Sequence, residues 1–382
     1  MQPLCSSTLH ATLHDGKFLL GFSGGADSVA LFFYLLEQEI AFDIAIVDYG
    51  VRAQSVEEVA YAKSLAQAHS KQCFHTKAPV FSSNFEAQAR QFRYEFFHSL
   101  IAAHNYCGLL LAHNFNDRIE WLLLRLGKGS GIAGLLGFDE ISWHYPQPTQ
   151  ALPNPMPYPI IRPLLWCYKQ EIIDYCASKG VKYFTDSTNT NPAYERNFIR
   201  THFATELVQH YGKGLRQSLK ILNQEKNMLY QGGIALPTHH NTTLMCIYAF
   251  SPYQAIHHIA TALKMQGYVP SRKQREEIIR TNFSCEIYAA SRQQISQNPL
   301  FTHTQQKTRF CIEHFPSTSH PITLIVARHT TITLPKPIKD QLRKLHIPKR
   351  LRTSFYAYSL QESLSLEQCK ERIANAFIHP AT

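Results

Sequence analysis

Leu19-Leu20-Gly21-Phe22-Ser23-Gly24-Gly25-Ala26-Asp27-Ser28-Val29-Ala30-Leu31 passes from a short apolar run through a small-residue turn into an apolar helical pattern. The run predicts a buried strand, and the pattern after the turn predicts a helix starting near Asp27. Such a turn is an anion cradle. Adjacent glycines let backbone N–H groups face one point, and the helix adds its positive dipole end and unpaired amides. No lysine stands in the turn, which excludes the GxxxxGK[ST] loop that grips a γ-phosphate.

Outward from this turn, the first 200 residues alternate short apolar runs with amphipathic stretches, the pattern of an α/β, doubly wound, mostly parallel sheet covered by helices. Strands are predicted at 18–22, 42–47, 73–77 and 108–112, and helices at 27–38, 56–68, 85–104 and 116–126. The turn then falls at the carboxyl ends of the strands, where such sheets bind ligands. Seven prolines between Tyr145 and Pro163 predict an irregular excursion. A helix at 166–179 and a long polar helix at 201–231, ended by Gly232-Gly233, follow. This organisation gives a catalytic domain at 1–205, a helical linker and substrate-binding module at 206–285, and a basic α+β region at 286–382.

Charge divides the same way. Residues 1–200 hold 16 Lys/Arg and 18 Asp/Glu, whereas 201–382 hold 22 and 10. A net of +12 in the second half points to a polyanion, RNA before membrane, because no strongly amphipathic basic helix dominates. Seven basic residues against one acid lie between Lys336 and Arg352, with Lys344, Lys349 and Arg350 as the predicted RNA contacts. The nine cysteines include no C-x-x-C pair, which excludes a legible zinc ribbon or redox motif. No long apolar span or secretory leader is legible, and the reading is a soluble cytoplasmic protein.

Leu109-Leu110-Leu111-Ala112-His113-Asn114-Phe115-Asn116-Asp117-Arg118-Ile119-Glu120 carries the second chemical signal. If Asn116 opens a helix, Asp117 and Glu120 share one face, with His113 at the strand end before it. Two carboxylates and an imidazole suit holding Mg²⁺ on phosphates and binding or deprotonating an ammonium nucleophile. Gly129-Ser130-Gly131-Ile132-Ala133-Gly134 follows a helical run and not a strand, so it is not read as a dinucleotide fingerprint. Arg90 with Arg93, and Arg196 with Arg200, have helical spacing. They either clamp phosphate or an RNA loop or pair with local acids.

Ser23-Gly24-Gly25-Ala26-Asp27-Ser28 resembles the PP-loop of the ATP pyrophosphatase superfamily, whose members split ATP between its α and β phosphates. His113 with Asp117 and Glu120, Arg125-Leu126-Gly127-Lys128-Gly129-Ser130-Gly131, Ile161-Arg162-Pro163-Leu164-Leu165, and Asp186, Asn189, Arg196-Asn197 and Arg200 stand in the order seen in tRNA(Ile)-lysidine synthetases. Ala89-Arg90 with Arg93-Tyr94 also looks like a motif of that family. The resemblance covers about residues 17–205 and returns at 338–352.

It implies a C–N ligase in which ATP adenylates the C2 oxygen of the wobble cytidine of the CAU anticodon of tRNA(Ile). Free L-lysine then displaces AMP to give lysidine. It further implies ATP on Ser23–Ser28, Asp27 and Asp117 toward Mg²⁺, Asp117 and Glu120 toward lysine, and His113 toward the nucleotide or a proton. A homodimer is compatible with it.

The family's His-His-x-Asp-Asp-Gln-x-Glu-Thr is changed here at Asn114, Asn116, Arg118 and Trp121. Asp48, in a segment that also departs from the family, offers a carboxylate near the phosphates. The rivals are another PP-loop tRNA-modifying or amide-forming synthetase and a non-catalytic tRNA-binding homologue. The absent C-x-x-C, the basic second half, and the retained Asp27, Asp117 and Glu120 speak against them.

Overall fold

A computed structural model of the chain describes residues 7–50, 54–81, 85–146, 156–185, 195–235, 244–289, 308–316 and 320–378. Its contacts divide at Lys226/Asn227, near the end of a long helix. The first unit runs α1 (Ser7–His14), β1 (Lys17–Gly21), α2 (Ala26–Glu37), β2 (Ala41–Asp48), α3 (Gln54–Ala68), β3 (Cys73–Lys77), α4 (Phe85–His104) and β4 (Leu109–Leu110). It continues through α5 (Phe115–Gly127), α6 (Ile132–Leu135), β5 (Ile141–His144), β6 (Tyr158–Ile161), α7 (Lys169–Ser178) and α8 (Glu195–Ile199). A π-helical turn (Arg200–Ala204) and α9 (Thr205–Leu229) complete it.

The sheet order is β3-β2-β1-β4-β6-β5, parallel except for the antiparallel edge strand β5. Alternate residues serve opposite faces, as the strand repeat of two requires. Leu20, Ile44, Leu110 and Ile161 pack into the core under α2, α3 and α7. Leu19, Ala45, Leu109 and Ile160 pack under α4. The chain grows outward from β1 to β2 and β3, then returns to place β4 on the other side of β1. This reversal opens a crevice at the carboxyl ends of β1 and β4. Both segments singled out in the sequence leave the sheet there.

The proline-rich stretch is not wholly irregular, because β6 lies within it. Pro159 is tolerated since β4 pairs only with Ile160 and Ile161, which leaves Pro159 beyond the parallel ladder. The approach is close: a Cβ on Gly108 would sit 2.6 Å from the Pro159 carbonyl oxygen. Pro148, Pro153 and Pro155 lie outside the described residues, as do Asp186 and Asn189. The helix expected at 166 starts at Lys169, where Glu171 accepts a 2.7 Å bond from the Tyr168 N–H. The helix expected at 201–231 is the π-helical turn and α9 in succession, with α8 directly before them.

The second unit is built on an antiparallel sheet of order β7-β8-β11-β10-β9, with β7 (Gly233–Ala235), β8 (Leu244–Ala249), β9 (Cys285–Tyr288), β10 (Arg309–His314) and β11 (Ile322–Arg328). Met245, Ile247, Leu324 and Val326 face α10 (Pro252–Met265) and α11 (Arg272–Arg280). Leu244, Cys246, Ile325 and Ala327 face α12 (Lys336–Lys344), α13 (Arg352–Glu362) and α14 (Leu366–Ile378). The stretch 206–285, read as helical, therefore contains two strands, and its sheet runs on past 285. Among the described residues no helix is long and apolar enough to cross a membrane.

Candidate active site

The Ser23–Ser28 turn is braced by its own hydroxyls. Ser28 Oγ donates to the Gly25 carbonyl (3.0 Å) and accepts from the Ser23 N–H (3.2 Å). Gly24 has φ +77°, in the left-handed region that favours glycine. A Cβ there would touch the Phe184 ring at 3.4 Å and the Glu58 stem at 3.5 Å. The Phe184 N–H closes the turn from outside by donating to the Gly24 carbonyl (2.9 Å). Helix α2 then starts at Ala26, one residue before the expected start.

Asp27 meets a cation that the sequence reading did not assign. Lys169 Nζ, at the start of α7, lies 2.8 Å from both carboxylate oxygens, and Asn114 Nδ2 donates to Oδ1 at 3.1 Å. Burial raises the Asp27 carboxyl above its usual range and the Asp117 charge adds to this, against the pull of Lys169. A lysine in the first turn of a helix opposes the dipole. That was the one signal in the sequence, legible only once the start of α7 is known.

Helix α5 starts at Phe115, capped by Asn114 rather than Asn116. The Asp117 N–H donates to Asn114 Oδ1 (3.1 Å), and Asp117 Oδ2 accepts from the Asn114 N–H (3.0 Å). Asn116 Oδ1 accepts from the Lys169 N–H at 3.0 Å. The two asparagines that depart from the family pattern thus cap α5, hold Asp27 and fix the start of α7.

Glu120, with 2% of its side chain exposed, takes Arg196 Nε at 2.9 Å and Arg200 Nε at 2.5 Å. Asp117 takes Arg196 Nη2 at 3.0 Å. In the structure Arg196 and Arg200 pair with acids, as the second of their two readings expects. Burial opposes the Asp117 charge, but Arg196 and the Asn114 N–H help to hold its carboxyl below the usual range. His113 is half-buried against Phe138, and its Nδ1, which solvent does not reach, has no partner among the described residues. Burial above all pushes its imidazole down to about 3, with Arg162, Arg196 and Arg90 acting the same way and Asp117 opposing.

These groups line one cavity of about 1440 Å³ at the switch crevice, with Arg90 and Arg93 of α4 on another wall. Arg90 lies over the Tyr94 ring, and Arg93 bonds Tyr49. Asp48 turns onto its own loop, accepting the Gly50 N–H at 2.8 Å, and is not on the cavity wall. In the second unit Lys344 and Lys349 are exposed. Arg350 is not free as expected. Its Nη1 lies 2.6 Å from Glu313 and 3.0 Å from Ser284 Oγ, tying the turn before α13 to the sheet.

A family model described as the PP-loop domain matches residues 4–207. The chain is 39% identical to the tRNA(Ile)-lysidine synthase of Helicobacter pylori over 92% of both chains. The chain belongs to the tRNA(Ile)-lysidine synthase family. The relative from Wolinella succinogenes is 42% identical over 71% of this chain and 79% of its own. That from Campylobacter jejuni is 32% identical over 92% and 96%.

Two outcomes test this geometry. Glu120→Gln leaves two guanidinium groups without their shared counter-charge and should cost about 2–4 kcal/mol, less than a fully buried pair because Arg196 is 43% exposed. A double-mutant cycle with Arg200→Gln in denaturant unfolding measures the coupling, and additive losses contradict the pairing. The His113 imidazole should stay neutral from pH 8 to 5. The unfolded chain gains that proton near pH 6.5, so this stabilisation is complete above 6.5 and lost as pH falls toward about 3. His113→Gln should therefore lose less stability than wild type between pH 7 and 5, and an imidazole NMR titration near 6.5 would contradict the assignment.

Proposed function

We propose that the protein joins free L-lysine to C2 of the wobble cytidine in the CAU anticodon of tRNA(Ile), in the cytoplasm, using ATP and releasing AMP and pyrophosphate. The observation that carries the reading is the shared cavity: residues of the Ser23–Ser28 cradle and the acids Asp117 and Glu120 line it together, with Asn114 bonding both Asp27 and Asp117. The amides of the cradle would hold the phosphates that leave as pyrophosphate. The cytidine C2 oxygen attacks the α-phosphorus, and the lysine side-chain amine then attacks C2 and expels AMP.

Asp27 and Asp117 fit a magnesium ion that carries phosphate. Both line the cavity, Asn114 bonds both, and the Asp117 charge raises the Asp27 carboxyl, a repulsion that a divalent cation relieves. Such an ion uses one or two carboxylates and completes its shell with substrate oxygens. When bound, it would neutralise charge on the departing pyrophosphate.

Lysine arrives as an ammonium, with a solution pKa near 10.4. Asp117, 15% exposed, is the better placed acid to receive it, whereas Glu120 is reached only if Arg196 or Arg200 swings away. Glu120 then acts by fixing the arginines, whose positive charge favours loss of the ammonium proton. His113, kept neutral, lines the cavity and is suited to hydrogen-bond a base or sugar there.

Purified protein incubated with ATP, lysine and bulk tRNA should yield lysidine by nucleoside mass spectrometry. Asp27→Ala should abolish AMP formation and leave tRNA affinity nearly intact. Lysidine from the Asp27→Ala protein would remove this account of the cradle. Neutralising Lys344 and Lys349 together should weaken tRNA binding and flatten its salt dependence by about one to two counterions. ATP binding should be unchanged, and an unchanged salt slope would eliminate this face as an RNA contact.

A further inference from the structure

We propose that Lys169 is the cation of the phosphate cradle, exchanging its contact with Asp27 for an oxygen of the pyrophosphate that leaves ATP. The proposal rests on the reading of the cavity as an ATP site. The Ser23–Ser28 turn carries no lysine or arginine, so its own contribution to an anion is amides and a helix dipole. Lys169 comes from 142 residues away and sets its ammonium 2.8 Å from both oxygens of Asp27, inside the same cavity. With 39% of Lys169 and 30% of Asp27 exposed, incoming phosphate can reach the pair. An ammonium has three N–H donors, and both bonds of Lys169 Nζ among the described residues go to Asp27, leaving donor capacity for the cavity.

The placement is built. Asn116 holds the Lys169 N–H, and Glu171 caps Tyr168. Arg216 of α9 lies 3.7 Å from the Tyr168 ring centroid and pairs with Glu171. The lysine also sits in the first turn of α7, where the helix dipole disfavours a cation and favours an anion. An arriving phosphate therefore meets the ammonium and the positive end of α7 together. Neutralising Asp27 alone needs neither that helix end nor an opening to the cavity.

The test measures ATP and inorganic pyrophosphate binding by calorimetry, with thermal unfolding of each variant alongside. Lys169→Met should weaken both ligands by about 10- to 100-fold, the size of a lost hydrogen bond to a charged group. Lys169→Arg should restore most of that affinity, and lysine KM should stay within about twofold in whichever variant turns over.

The deciding variant is Asp27→Asn with Lys169→Met, in which neither charge is left to compensate. If the lysine contacts phosphate, the double variant binds pyrophosphate more weakly than Asp27→Asn alone. If it only neutralises Asp27, the double variant and Asp27→Asn bind alike and the proposal is overturned. Unchanged affinity in Lys169→Met overturns it equally. A variant that fails to fold while Lys169→Arg folds and binds no pyrophosphate also overturns it. Absence of lysidine from wild type, with the binding pattern intact, would overturn the proposed function and leave this role standing.

Discussion

A carboxylate with 2% of its side chain exposed has to be compensated, and Glu120 is compensated by two arginines from one later segment. Removing a carboxylate from water costs several kcal/mol unless its charge and lone pairs are met. This requirement fastens α5, which carries the site acids, to α8 and the π-helical turn, and so sets where α9 begins. Helix α9 in turn places Arg216 on Tyr168 and fixes the start of α7. The cavity wall is thus held by charge as much as by the apolar packing of Phe115, Ile119, Leu136 and Val208 beneath it.

The same requirement balances the site. Asp27, Asp117 and Glu120 are met by Lys169, Arg196 and Arg200, three negative against three positive. Each substrate of the proposed reaction carries charge that disturbs this balance. On that proposal a nucleotide would add negative charge on the Lys169 side and an amino acid ammonium positive charge on the Asp117 side, with Glu120 the most buried of the three acids.

The second unit obeys a simpler rule. Its antiparallel sheet is covered by helices on both faces, so residues along β8, β10 and β11 alternate between two cores. The basic stretch at 336–352 supplies apolar anchors to one of them, with Leu342, Ile347 and Leu351 inside and Lys344 and Lys349 outside. Core and charge come from one amphipathic segment.

Much of the fold was legible because it depends on local chemistry. The Ser23–Ser28 turn needs glycine where φ is positive, the parallel strands need unbroken apolar runs, and both are written in consecutive residues. The sequence alone therefore determined the strands β1 to β4, their helices, the position of the cradle and the family resemblance. It misjudged β6, because a proline normally argues against an inner strand and only the shortness of β4 makes Pro159 harmless. It also left Arg196 and Arg200 open between RNA and acid and read Arg350 as an RNA contact, since an arginine reads the same whichever it meets. Only the tertiary structure decided that these guanidinium groups turn onto Glu120, Asp117 and Glu313, and that Lys169 meets Asp27. The partners lie between 37 and 142 residues apart, and a charge finds its counter-charge across such distances through the path of the folded chain, which no local pattern records.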